Sequence, residues 1–252
     1  SPNYSDFGHT DNNEHFFEQM DFLTPNLLKV LKPGRICAVH VKDRIVPGGM
    51  TGLGFQTVYP LHARCIEHYT RHGFGYMGMK TIVTDVVREN NQTYRLGWTE
   101  QCKDGTKMGV GMPEYLLLFR KPPTSTEKSY ADEPVVKSKD KYTRGRWQID
   151  AHGFARSNGN RFMTPEELAK LPHEQMFKAY REFSLHNLYD FEHHVSLNDG
   201  LAEAGQLPVT FMLLQPQSWH PDVYTDITRM LTLNTAQSQR NKEMHLCPMQ
   251  FD

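Results

Sequence analysis

The sequence predicts an α/β fold, and three observations carry that prediction. Between residues 14 and 72, two stretches place apolar residues every three or four positions, as one buried helix face requires. A short, nearly unbroken run of small and apolar residues lies between them, Arg35-Ile36-Cys37-Ala38-Val39-His40-Val41. Two more strand-like runs follow, from Tyr76 to Val87 and from Glu114 to Arg120. Helices alternating with strands in this way indicate a sheet covered by helices.

The first helix is expected from Glu14 to Leu31, with Phe16, Phe17, Met20, Leu23, Leu27, Val30 and Leu31 facing inward. Thr24-Pro25 is expected to cap and restart it, because proline suits a first turn and harms a helix interior. Pro33-Gly34 ends it. The run at 35–41 reads as a parallel strand covered on both faces, and its carboxyl end delivers Lys42, Asp43 and Arg44 to the edge where open α/β sheets bind ligands. Pro47-Gly48-Gly49-Met50-Thr51-Gly52-Leu53-Gly54 lacks the Lys-Ser/Thr of a phosphate loop and the spacing of GxGxxG. A mobile loop over that edge is expected there.

A second helix is expected from Val58 to His72, with Leu61, Cys65, Ile66 and Tyr69 inward and Gly73 as its stop. Arg88 to Met112 is too long for a tight hairpin and reads as a functional loop or insertion. Pro122-Pro123 and the polar tract to Lys141 mark a boundary. Beyond it, Thr164-Pro165-Glu166-Glu167 has the form of a capping box with proline in the first turn. Helical spacing resumes from His173 to Leu188, and residues 209–214 read as a strand.

At 252 residues the chain can bury a substantial core. Its 28 Lys plus Arg against 29 Asp plus Glu mean that any grip on a polyanion must be local. From Arg120 to Arg146, eight cations face four anions, which suits either a phosphate-binding patch or a solvated lysine-rich linker. No apolar run approaches the roughly 18 to 20 residues that span a bilayer, and four scattered cysteines without CxxC spacing suit a reducing compartment. A soluble, cytoplasmic protein without membrane association is expected.

His62, Cys65, His68 and His72 recur at helical spacing. A single helix rarely points four ligands at one metal, so buried or hydrogen-bonded side chains are expected there and no metal. In the second half, Arg144, Arg146, Trp147, His152, Arg156, Asn158, Asn160 and Arg161 mix cations, amides and an aromatic ring in what reads as a glycine-bearing loop. Such side chains read base edges and phosphates, or form a structured surface loop.

Two short strings bracket the chain about 240 residues apart, Ser1-Pro2-Asn3-Tyr4 and Leu246-Cys247-Pro248-Met249-Gln250-Phe251. The first resembles the Ser/Asp/Asn-Pro-Pro-Tyr/Phe motif of S-adenosylmethionine-dependent amino DNA methyltransferases, and the second resembles their Pro-x-Gln motif. Leu31-Lys32-Pro33-Gly34-Arg35 is similar to the turn that such enzymes place before a central strand. The order matches the permuted (β-type) branch, in which the catalytic motif comes first, then target recognition, Pro-x-Gln and a glycine-rich cofactor loop. The Asp-Pro-Phe-x-Gly-x-Gly type of loop is not found, nor is a strand before Ser1, so the chain is expected to be one segment of a longer methyltransferase.

That resemblance implies a methyltransferase (Rossmann-like) sheet, incomplete as supplied, with residues 1–121 as its catalytic half. It implies a target-recognition insertion at 122–239 and the start of the cofactor motif at 240–252. The implied reaction moves a methyl from S-adenosylmethionine to N4 of cytosine or N6 of adenine in DNA, in restriction-modification or phage defence. An aromatic amine is a poor nucleophile, and acceptors that hold its hydrogens localise its lone pair. The resemblance assigns that work to Ser1 and the Pro2 carbonyl, and to Tyr4 the stacking of a base turned out of the duplex. Pro248, Gln250 and Phe251 would contact the cofactor, and Arg144, Arg146, Trp147, Arg156, Asn158 and Arg161 the DNA. Asn3 stands where the family has a second proline. With the missing glycine loop it supports an alternative, a noncatalytic nucleic-acid-binding module derived from this fold. An RNA or small-molecule methyltransferase is a third reading.

Overall fold

The computed structural model describes residues 12–83, 102–103, 113–127, 130–150, 164–170, 190–207 and 222–224. The chain divides into two compact units, one built on Ser1–Lys80 with Glu114–Val135 and the other on Thr81–Pro113 with Val136–Asp252. Helices and strands are interspersed through the first unit, in keeping with the α/β pattern of the sequence.

Helix α1 spans Asn13–Val30. Asn12 caps it by accepting from the His15 N–H at 2.8 Å, which satisfies one of the amide groups that a helix start leaves without a partner. The helix runs unbroken through Pro25, so the expected restart at Thr24-Pro25 does not occur. Proline withdraws the N–H that would bond the Asp21 carbonyl, a cost that the packed face of α1 offsets. That face consists of Phe16, Phe17, Met20, Leu27, Leu28 and Leu31. Leu23 and Val30, expected inside, are exposed, and Leu28 takes the inward position.

The chain leaves α1 through Pro33-Gly34. Gly34 has φ +81°, a conformation that costs an L-residue about 1–2 kcal/mol, and its N–H donates to the Lys121 carbonyl at 3.0 Å. This turn feeds strand β1, Ile36–Lys42. The expectation of a parallel strand covered on both faces is not met. Strand β5, Glu114–Arg120, pairs with β1 antiparallel over seven residues, from Ile36↔Arg120 to Lys42↔Glu114. Cys37, Val39 and Val41 pack into the core with Tyr115, Leu117 and Phe119, while Ile36 and Ala38 on the opposite face are exposed. Small and β-branched residues on both faces made the run look doubly buried.

After β1 comes a hairpin that the sequence did not reveal. Strand β2, Arg44–Val46, pairs antiparallel with β3, Thr57–Tyr59, and a single helical turn, α2 at Gly48–Thr51, lies between them. The glycine-rich stretch is closed by its own hydrogen bonds, with the Thr51 hydroxyl within 3.0 Å of the Gly48 and Phe55 carbonyls. Helix α3, Leu61–Arg71, therefore starts three residues later than expected. Pro60 disfavours helical backbone at Tyr59, and Val58 joins the hairpin. Leu61, Cys65 and Tyr69 are buried as expected, and Gly73 at φ +97° ends the helix.

Strand β4, Gly75–Ile82, borders β5, giving the order β1-β5-β4. Tyr76 lies beside Phe119 and Gly75 beside the Arg120 carbonyl, so the start of β4 meets the end of β5, as in antiparallel neighbours. The core between sheet and helices holds Leu61, Cys65, Tyr69, Phe74, Leu117 and Phe119, with Tyr69 stacked on Phe119 at 4.8 Å. Residues after Pro122-Pro123 stay with this unit: the Thr124 N–H donates to Asp132 at 2.9 Å, and Glu133 takes Lys32 at 2.6 Å and Arg35.

In the second unit, α4 (Arg144–Asp150) packs on α6 (Phe191–Glu203). Asn198, fully buried, donates to the Gly145 carbonyl at 3.0 Å. A short helix, α5, spans Pro165–Ala169. The expected capping box is present there: the Glu167 N–H donates to the Thr164 hydroxyl at 3.2 Å, and the Thr164 N–H to the Glu167 carboxylate at 2.9 Å. Strand β6, Val223–Tyr224, pairs in parallel with Thr81 and Ile82. Residues 84–87, the expected helix from His173 to Leu188 and the strand at 209–214 lie outside the described residues.

A Cβ at Gly34 would lie 2.4 Å from the Ala131 Cα. Gly34→Ala adds that backbone overlap to the strain of positive φ, and it should lower unfolding stability by about 2–4 kcal/mol in urea melts. An effect below about half a kilocalorie would show that the turn is free to rearrange.

Candidate functional site

The carboxyl end of β1 gathers two of the buried polar side chains described in the first unit, Asp43 and Glu114. Pleating sends His40 and Lys42 to one face, where both meet Glu114, the register partner of Lys42. His40 Nε2 is 2.8 Å and Lys42 Nζ 3.4 Å from the Glu114 carboxylate, which is itself buried. A carboxylate acceptor fixes the His40 proton on Nε2.

Asp43, only 8% exposed, faces the start of α3. Pro60 occupies the N-cap of that helix and supplies no side-chain hydrogen bond, so Asp43 takes over the capping role from another element. It accepts from the His62 N–H at 3.0 Å, and its two oxygens each lie 2.8 Å from His62 Nδ1. Negative charge at a helix start is favourable because the first N–H groups and the helix dipole point toward it. The His62 ring stacks on Tyr115 at 4.3 Å, and burial, followed by the Asp43 charge, pushes the Tyr115 hydroxyl above its ordinary range. Arg44 donates to the Asn13 side chain at 2.9 Å and lies over the Phe16 ring at 5.5 Å. Lys42, Asp43 and Arg44 thus tie the end of β1 to β5, α3 and α1 respectively.

The arrangement provides a polar edge of imidazole and carboxylate pairs. Its cysteines supply no nucleophile. Burial pushes the Cys65 thiol up to about 11 and raises that of Cys37 as well, so neither forms thiolate readily.

Ser1, Pro2, Asn3 and Tyr4 lie outside the described residues, as do Pro248, Gln250, Phe251, Arg156, Asn158 and Arg161. Arg144, Arg146 and Trp147, expected in a glycine-bearing loop, instead share the helix α4. Arg144 donates to the Leu207 carbonyl at 2.7 Å. Arg146 pairs with Glu192 at 3.0 Å and lies over Phe191 at 5.1 Å. Trp147 and Arg144 line a pocket of about 720 Å³ with Lys139, Tyr142 and Asp199. The four-residue set His62, Cys65, His68 and His72 does not converge: His62 turns to Asp43, Cys65 enters the core, and His68 and His72 face Asp21. Glu114 and Asp21 escaped the sequence reading because their partners are 72 or more and 47 or more residues away, with no local spacing to signal them.

No family model and no curated protein matches this chain. Solved structures of a candidate DNA modification methylase from Thermus thermophilus are similar to part of it. The form complexed with S-adenosyl-L-methionine gives a TM-score of 0.36 at 19% identity, over 53% of this chain and 44% of that one. A selenomethionine derivative gives 0.35 at the same identity and coverage. The chain thus spans less than half the length of that protein, and a likeness at this TM-score decides neither the fold nor the function of this chain.

Asp43→Ala removes the cap of α3 and leaves the His62 ring without its acceptor, and a loss of about 1–3 kcal/mol in unfolding stability is expected. Asp43→Asn keeps an acceptor and should lose less. Equal losses would show that the hydrogen bonds at this edge contribute little. In thiol labelling followed by peptide mass analysis, exposed Cys102 should react at neutral pH well before Cys65, which is expected to label only on unfolding. Early labelling of Cys65 would contradict the packing of α3.

Proposed function

We propose that this chain carries the catalytic and recognition parts of an S-adenosylmethionine-dependent DNA methyltransferase acting on an exocyclic amino group, N4 of cytosine or N6 of adenine. One observation carries the reading. Leu31-Lys32-Pro33-Gly34-Arg35 folds as a turn into a strand of a helix-covered sheet, in a chain that also bears Ser-Pro-Asn-Tyr before it and Pro-Met-Gln after it, in the permuted order.

On this reading Ser1 and the Pro2 carbonyl accept the amine hydrogens, Tyr4 stacks the extruded base, and Asn3 replaces a proline that would stiffen the loop. The cofactor, when bound, supplies an electrophilic methyl group. Its contacts fall to Pro248, Gln250 and Phe251. Recognition falls to Arg144, Arg146, Trp147, Arg156, Asn158 and Arg161. The departure at Asn3 favours one second reading, a nucleic-acid-binding module without catalysis.

The test is transfer of labelled methyl from S-adenosylmethionine to duplex DNA by the full-length protein. Activity is expected in the wild type, with a fall of about a hundredfold or more in Ser1→Ala. DNA binding without transfer in either protein would establish the binding module instead. In titrations at several salt concentrations, Arg146→Ala should reduce the salt slope by about one. The variant should remain folded, because the ion pair with exposed Glu192 and the contact with the Phe191 ring that it loses together stabilise by about 1–2 kcal/mol at most. An unchanged slope would remove Arg146 from the DNA surface.

A further inference from the structure

The face between α1 and α3 holds three metal-ligating side chains that the methyl-transfer chemistry does not use. Asp21 comes from α1. His68 comes from α3 and His72 from its C-cap, four residues on and therefore near the same face of that helix. Asp21 Oδ1 is 2.7 Å from His72 Nε2 and 3.5 Å from His68 Nδ1. One donor atom from each residue lies within 4.8 Å of the others.

His68 supplies the second observation. Its side chain is 2% exposed, its Nε2 is 2.8 Å from the Thr24 hydroxyl, and its buried Nδ1 has no hydrogen-bond partner. An unmet buried nitrogen is costly and rare. In the tautomer that puts the proton on Nε2, facing Thr24, the Nδ1 lone pair faces the group formed by Asp21 and His72. A ring held by a hydrogen bond from its other nitrogen is how proteins orient a metal-bound histidine.

We propose that Asp21, His68 and His72 bind a divalent transition metal of the zinc class, clipping α1 to α3. Two imidazoles and one carboxylate suit that class. The fourth position opens to solvent on the side of Asp21, whose side chain is 45% exposed. A tetrahedral site with metal–ligand distances of about 2.0–2.2 Å spaces its donors about 3.3 Å apart. The Asp21–His68 separation already fits, and Asp21–His72 has to widen slightly as the metal replaces the shared proton. Arg71 competes for the same Asp21 oxygen at 2.8 Å, but its side chain is 65% exposed and can swing away.

The test titrates cobalt(II) into the full chain after treatment with chelator. The visible bands of tetrahedral cobalt should appear at one equivalent, disappear on adding zinc, and fall at least tenfold in affinity in both His72→Ala and Asp21→Asn. Those two variants alter side chains at the solvent-facing rim of the site, so folding should survive, and circular dichroism checks it. Arg71→Ala, which removes the competing cation, should bind at least as tightly as the wild type. Absence of the bands, their persistence in either ligand variant, or weaker binding by Arg71→Ala would overturn the assignment.

Discussion

The first unit depends on the seven-residue register between β1 and β5. Because side chains alternate across a strand, that register decides which residues face the helices and which face away. It places Cys37, Val39 and Val41 beside Tyr115, Leu117 and Phe119 under α1 and α3. It also puts Glu114 opposite Lys42 and within reach of His40. A slip of one residue would expose the aromatic half of the core and bury a carboxylate among apolar groups. The Gly34 turn and the Asp43 cap act on the same pairing, holding β1 at its start and at its end.

Much of this was legible from periodicity. The inward face of α3, most of that of α1, the bounds of β5 and the capping box at Thr164 all follow from short-range spacing and chemistry, while Leu23 and Val30 of α1 were misplaced inside. Misjudgements arose where local signals were ambiguous. Ile36 to Val41 is apolar on both faces, so periodicity could not tell a parallel interior strand from the antiparallel one observed. Pro25 marks a break in most contexts, yet the packed face of α1 carries the helix through it. Thr57, Val58 and Tyr59 fit helix or strand equally well until Pro60 is taken into account. The polar site was hidden for a different reason. Asp43 with His62, Glu114 with His40, and Asp21 with His68 and His72 are joined only by the fold.

Charged groups in the first unit are used to bind elements to one another. Lys42 and Glu114 join two strands, Asp43 joins a strand to a helix start, and Asp21 joins α1 to α3. Buried or half-buried pairs of this kind hold geometry more than they add net stability, because desolvation offsets much of their attraction.

The proposed chemistry makes a product that can be identified directly. DNA incubated with the full-length protein and S-adenosylmethionine, then digested to nucleosides and separated by mass spectrometry, should contain N4-methylcytosine or N6-methyladenine. Methylation confined to cytosine C5, or DNA that is bound but never methylated, would contradict the assignment of an amino group as the acceptor.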